Sequence, residues 1–157
     1  MGVTTSRRDT KFRAASQGYS LAELTVSLLC AAILVTIAVP NLARFQREWE
    51  LWGGTRILET SLQWGRMHAV ATNSPMLFEV DEDRQRFYWV DPVSGDTYVG
   101  TVRELPRGLR IASCPSRPLR FYQHGNAAPA GTYTIEGEAG SCSVIVSPGG
   151  RIRIRKN

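Results

Sequence analysis

Three arginines stand two residues apart at the end of the chain, in the stretch GGRIRIRKN: Arg151, Arg153 and Arg155, with Ile152 and Ile154 between them. In an extended strand, alternate side chains share a face. The spacing therefore sets three guanidiniums on one face and two isoleucines on the other. A guanidinium is a planar, permanently charged fork of donors that matches phosphate. Such a comb neutralises phosphates without reading bases. The same spacing also suits a solvated strand edge whose charge discourages aggregation, so the residue types alone leave both readings open. Lys156 adds a fourth cation, and Gly149 and Gly150 are expected to let the tail move, at an entropy cost on binding.

The charge is concentrated rather than spread. The 157 residues carry a formal net charge of +5, from 17 arginines and 2 lysines. Residues 46–102 hold 5 basic and 9 acidic residues, a net of −4, whereas residues 103–157 hold 9 basic and 3 acidic, a net of +6. Such clustering is the electrostatic footprint of a phosphate binder. Arg103, Arg107, Arg110, Arg117 and Arg120 would join the tail if their strands lie beside it. Phe121, Tyr122 and His124 could stack on bases, although their strand-like context favours the core for the aromatics.

Catalytic chemistry has no comparable signal. His68 and His124 are isolated, and neither belongs to a metal or nucleophile motif. Asp81, Glu82 and Asp83 read as a charged turn, with no calcium-loop spacing after them. No glycine-rich phosphate loop precedes a helix. The chain is read as a non-enzyme, with no catalytic residue, metal ligand set or cofactor.

The elements that would carry the comb begin with a membrane signal. Residues 1–18 hold Arg7, Arg8, Lys11 and Arg13 against one acid, Asp9. Then comes the 21-residue stretch Tyr19–Val39, uncharged from residue 24 onward, near the roughly 20 residues that span a bilayer. Positive charge before it predicts a cytoplasmic N-terminus. Glu23 lies inside this apolar stretch, where a carboxylate is expensive and marks a functional-site hypothesis unless it stays wet near the interface.

Beyond Asn41 the helical pattern continues to about Ala71. Leu51, Thr55, Leu58, Leu62, Gly65 and Ala69 form one stripe of an amphipathic helix. Gly53–Gly54 is expected to weaken or bend it, and Trp49, Trp52 and Trp64 to pack against the domain. After Asn73–Ser74–Pro75 the period changes to that of strands. MLFEVDEDRQRFYWVD reads as two strands around the acidic turn; RGLRIAS, PLRFYQHG, GTYTIEGE and SCSVIVSPGGRIRI read as more. The expected class is α+β, a long helix followed by a small antiparallel sheet packed on it.

Gly18 followed by YSLAELTVSLL resembles the class III signal of type IV pilins and type II secretion pseudopilins. The resemblance implies cleavage by a prepilin peptidase between Gly18 and Tyr19, methylation of the new N-terminus, and a glutamate, Glu23, at the fifth mature position. Tyr19 departs from the usual phenylalanine. Pro40 falls where that family places a helix-kinking proline. In an assembled filament the glutamate pairs with a neighbour's N-terminal amine, which supplies the partner a buried carboxylate needs.

ILETSLQWGRMHAVATNSP, FYQHGNAAPAGTYTI and SCSVIVSPGGRIRI resemble the GspH/FimT group of minor pilins and pseudopilins. Some FimT-type members bind DNA in natural transformation through a C-terminal GRxR motif, matched here by Gly150, Arg151, Ile152 and Arg153. The resemblance implies a leader at 1–18, a transmembrane and filament-core helix at 19–40, an amphipathic helix at 41–72 and a β-domain with a basic tail at 73–157. Implied partners are other pilin or pseudopilin subunits, the prepilin peptidase, the inner-membrane assembly platform and double-stranded DNA. The implied location is the inner membrane with a periplasmic globular domain, then a filament. The alternative is a GspH-like pseudopilin of a type II secretion system, or a pilus-priming subunit, without DNA binding. In an exported domain, Cys114 and Cys142 would be plausible disulfide partners, closing a loop of about thirty residues worth ~3 kcal/mol.

Overall fold

A computed structural model describes residues 20–157; the expected leader and the Gly18–Tyr19 junction lie outside the described residues. The chain divides into two compact units at Val39 and Pro40. Helix α1 runs Leu21–Ala71, with Pro40 inside it.

In the first unit, Leu24, Val26, Leu28, Leu29, Ile33 and Leu34 are all exposed. The helix is long and apolar enough to cross a membrane. Its start has a local cause that the sequence reading missed. Ser20 accepts a hydrogen bond from the Glu23 backbone N–H at 3.3 Å, so SLAE has the form of a capping box. Glu23 also stands in the first turn, where the helix dipole favours negative charge.

The second unit is built on the leucine stripe. Leu51, Thr55, Leu58, Leu62, Gly65 and Ala69 are all buried. Thr55 is accommodated because its hydroxyl donates to the Leu51 carbonyl at 2.7 Å. Gly53–Gly54 does not interrupt the helix; a Cβ on Gly54 would collide with Leu109, so this glycine serves close packing. Gly65 does the same for the Trp89 ring, which occupies the place of its missing side chain. Trp89 is fully buried, whereas Trp49, Trp52 and Trp64 are 60%, 44% and 37% exposed. They lie off the stripe but pack against the domain as expected: the Trp64 ring stacks on His68 at 4.8 Å and lies 6.5 Å from the Trp89 ring, and Trp49 and Trp52 line a groove with Ala139 and Cys142.

Two sheets cover the stripe where one was expected. The first has the order β3-β2-β1-β5-β6, from β1 (Met76–Asp81), β2 (Arg86–Val90), β3 (Arg103–Glu104), β5 (Leu119–Phe121) and β6 (Ala127–Ala128). The second has the order β4-β7-β8-β9, from β4 (Arg110–Ser113), β7 (Gly131–Gly137), β8 (Gly140–Val146) and β9 (Ile152–Lys156). The chain enters the second sheet at β4, returns to the first at β5, and makes its last crossing, from β6 to β7, at Pro129, which has no N–H to offer a ladder. Met76, Phe78, Phe87, Leu119 and Phe121 from one sheet meet Tyr133, Ile135, Val144 and Val146 from the other over the helix. The acidic turn joins β1 and β2 as expected. Asp81 accepts from the Arg84 backbone N–H at 3.1 Å and from Arg86 Nε at 3.0 Å. The Arg84 amide, and then Arg86, hold its carboxyl below the ordinary carboxylate value.

Candidate functional site

The arginine stretch is an ordered strand. β9 pairs antiparallel with β8, with Val146 opposite Ile152, Ile145 opposite Arg153, Val144 opposite Ile154 and Ser143 opposite Arg155. Its other side is the edge of the sheet. Ile152 and Ile154 pack against the core, while Arg151, Arg153 and Arg155 are exposed. The isoleucines thus fix the strand and the pleat turns the guanidiniums outward. None of the three has an ion-pair partner among the described residues. By the same alternation, Ser141, Ser143 and Ile145 of β8 and Thr132 and Thr134 of β7 share this outer face. Asn157 Nδ2 ties the strand end to Ser143 Oγ at 2.8 Å.

The expectation that two glycines loosen the tail is corrected. Gly150 is buried at φ +74° and donates its N–H to the Ser147 carbonyl at 2.8 Å. Ser147 N–H donates to the Arg151 carbonyl at 2.9 Å, and Arg151 N–H to Ser147 Oγ at 3.1 Å. Ser147–Arg151 is a closed turn in which Gly150 supplies the left-handed residue.

Lys156 does not join the comb. It stands on the isoleucine face, and its ammonium pairs with Glu48 of α1 at 3.6 Å. With Trp49, Leu51, Trp52, Ala139 and Cys142 the pair lines a shallow groove. Nor do the strand arginines Arg103, Arg110 and Arg120 share the comb's sheet edge. Arg110 is on β4, at the opposite edge of the sheet, and is paired with Glu136 at 2.7 Å. Arg103 and Arg120 belong to the other sheet, and the Arg103 guanidinium is committed to the carbonyls of Gly100 and Val102. Of the aromatic candidates, Phe121 is core, Tyr122 is half-buried and His124 is exposed.

Cys114 and Cys142 are free thiols, as is Cys30 in the apolar part of α1, against the expected Cys114–Cys142 disulfide. Cys142 is buried on β8, while Cys114 follows β4, with β7 between them. Two strand spacings amount to about 9–10 Å, beyond the roughly 7 Å that a disulfide tolerates between Cα atoms. Cys114 Sγ instead donates to Glu82 Oε1 at 2.9 Å. Burial, and next the Glu82 contact, push its thiol up to about 11.

Comparison with known proteins agrees with this architecture. Residues 55–150 match the family model described as Type II transport protein GspH. The chain resembles the minor pseudopilin EpsH of the Vibrio cholerae type 2 secretion system, with a TM-score of 0.58 at 15% identity, covering 68% of this chain and 97% of that one. It also resembles the type IV minor pilin FimU of Pseudomonas aeruginosa, with a TM-score of 0.59 at 21% identity, covering 71% of this chain and 92% of that one. No curated protein matches it in sequence. At these identities the structural likeness is one of fold, and it reaches a pilin from one side and a pseudopilin from the other. The family match spans more than half of the chain, from the leucine stripe to the turn before the comb, and the chain belongs to the family of Type II transport protein GspH.

Proposed function

We propose that this protein is a minor pilin that enters a filament through Tyr19–Val39, after cleavage at Gly18, and binds DNA without sequence preference through Arg151, Arg153 and Arg155. The observation that carries the DNA reading is the set of three exposed, unpaired guanidiniums on one face of an ordered strand. Held by the ladder, they sit about 6.8 Å apart along the strand and lose less freedom on binding than a mobile tail would. Three phosphate contacts give a log–log salt slope near −2.7 on duplex DNA. A single subunit therefore binds weakly, and several copies on one filament add avidity. Within the filament, Glu23 pairs with the N-terminal amine of a neighbour, and the assembly platform and prepilin peptidase are its processing partners.

The EpsH likeness favours a second reading equally: a pseudopilin of a type II secretion system whose comb is a solvated edge. Anisotropy of labelled duplex DNA separates the two, with the full chain in nonionic detergent across a salt series. Under the first reading, Arg151→Gln/Arg153→Gln brings the slope from about −2.7 to about −0.9 and weakens binding on the order of a hundredfold at 50 mM salt. Equal inertness of parent and double variant at low salt rejects DNA binding and leaves the secretion reading.

A further inference from the structure

The turn that delivers β9 is held by a residue far away in sequence. Gly150 packs on the carbonyl of Gly125: a Cβ at Gly150 would strike that oxygen. The same oxygen accepts a hydrogen bond from Arg66 Nε at 2.9 Å. Arg66 Nε also lies 2.9 Å from where a Gly150 Cβ would stand. With a 3.8 Å step between Cα atoms, that places it within about 8 Å of the Arg151 Cα. A helix residue thus stands at the root of the comb.

Only one nitrogen of this guanidinium is used by the clamp. Arg66 is exposed, and its two terminal nitrogens have no hydrogen-bond or ion-pair partner among the described residues. The neighbours one helical turn away are Leu62, Gln63, Ala69 and Val70. No carboxylate is therefore in place for the i, i+3 or i, i+4 pair that usually occupies an exposed helical arginine. On the other side the clamped turn contributes Gln123 and His124, neither of them acidic. The position escapes a sequence reading because Arg66 belongs to the net-negative stretch 46–102.

We propose that Arg66 is a fourth phosphate-contacting residue, extending the cationic track from β9 across the Ser147–Arg151 turn onto α1. Its Nε fixes the turn, and its Nη atoms are left available to a phosphate where the ligand rounds the turn from the outer face of β9 toward α1. The inference rests on the DNA-binding reading above and adds a direction to it: the nucleic-acid backbone runs along β9 and over its N-terminal turn, not off its C-terminal end.

The test is the same salt series with the full chain in nonionic detergent, comparing the parent with Arg66→Gln and Arg66→Lys, each checked by thermal melting. The parent is expected to show a slope near −3.6 rather than −2.7, and Arg66→Gln to lose about 0.9 of it. Raising salt from 50 to 200 mM would then cost Arg66→Gln about 3.5-fold less affinity than it costs the parent. Arg66→Lys keeps the charge without the Nε clamp and is expected to retain the parent slope. If the parent binds and Arg66→Gln has the same slope, the assignment of Arg66 is wrong and the comb stands alone. If Arg66→Lys loses as much slope as Arg66→Gln, Arg66 acts only by holding Gly125, which also overturns a phosphate contact. If the parent does not bind at all, the DNA reading falls and this inference falls with it.

Discussion

At one edge of the four-stranded sheet, β4 sets Arg110 opposite Glu136, and the two form an ion pair at 2.7 Å. At the other edge, β9 sets Arg153 opposite Ile145 and Arg155 opposite Ser143. Both edges carry arginine on the outer face; only one keeps its charge available. An exposed pair such as Arg110–Glu136 contributes ~0–1 kcal/mol to stability, but it cancels most of the field that a distant polyanion would feel. What decides availability is the cross-strand partner, which depends on register and does not follow from counting charges. The edges differ in anchoring too. β9 is delivered by a turn locked against Gly125, whereas Ile111 of β4 is held by a side chain, Gln85 Oε1, which accepts its N–H at 2.5 Å.

The largest expected effect comes from breaking the anchor of the β9 edge. Gly150→Ala puts a Cβ on the Gly125 carbonyl and asks alanine to adopt φ +74°. The left-handed region costs about 1–2 kcal/mol for an L-residue, and the clash adds to it, so a loss of about 3 kcal/mol is expected. A urea midpoint unchanged from the parent would show that the turn rearranges freely and that the β9 edge is not held as described.

The two thiols sharpen the comparison next, since one lies beside each edge. Cys114 has its thiol pushed up to about 11, first by burial and then by Glu82. The neutral form is the one stabilised. Its contribution is complete below the ordinary thiol value and is lost as pH rises through about 11. At pH 8.5 alkylation by iodoacetamide is expected about a hundredfold slower than at a free cysteine, accelerating toward pH 11. Cys142, buried on β8, is expected to stay unlabelled until the protein unfolds. Mass spectrometry without reductant should find all three thiols free, Cys30, Cys114 and Cys142; a mass two hydrogens lower with a mapped Cys114–Cys142 peptide would refute the strand placement.

A carboxylate can also be transplanted from one edge to the other. Ile145 stands opposite Arg153 on the outer face, as Glu136 stands opposite Arg110. Ile145→Glu therefore rebuilds the neutralised edge on β9. One fewer available cation is expected to weaken DNA binding about tenfold at 50 mM salt and to reduce the slope by about 0.9. Because Ile145 is only half-buried, the melting temperature should fall little. An unchanged affinity would mean that an unpaired guanidinium at this position is not what the DNA meets.

How much of this was readable beforehand differs by region for a physical reason. The stripe Leu51–Ala69 is written in local periodicity, so all six expected positions are buried. The face of Arg151, Arg153 and Arg155 follows from a period of two, and the same parity already places Lys156 opposite, paired with Glu48. The capping box Ser20–Glu23 was equally local. The rest depends on long-range pairing. Which cysteines can meet, which arginines share an edge, and that Arg66 reaches Gly125 across 59 residues are set by strand order and register. β3 and β6, each two residues long, have no pattern of their own, being called into existence by their neighbours.

The smallest effect tests how far the nucleic acid extends over the sheet. Glu136→Gln frees Arg110 without touching β9. The β4 edge is three strand spacings from β9, about 14 Å away. That exceeds the Debye length of about 8 Å at physiological salt and approaches its value of about 14 Å near 50 mM. If the ligand follows the β9 edge, the freed charge acts only through the long-range field. The expected gain is about twofold at 50 mM salt and nothing measurable at 150 mM. If the DNA instead lies across the sheet, over the Thr132 and Thr134 side chains, Arg110 becomes a direct contact. The slope would then steepen by about 0.9 and the gain would approach tenfold. The first result keeps the two edges distinct, one available and one neutralised; the second would make them the two ends of a single binding face, with Glu136 as its built-in brake.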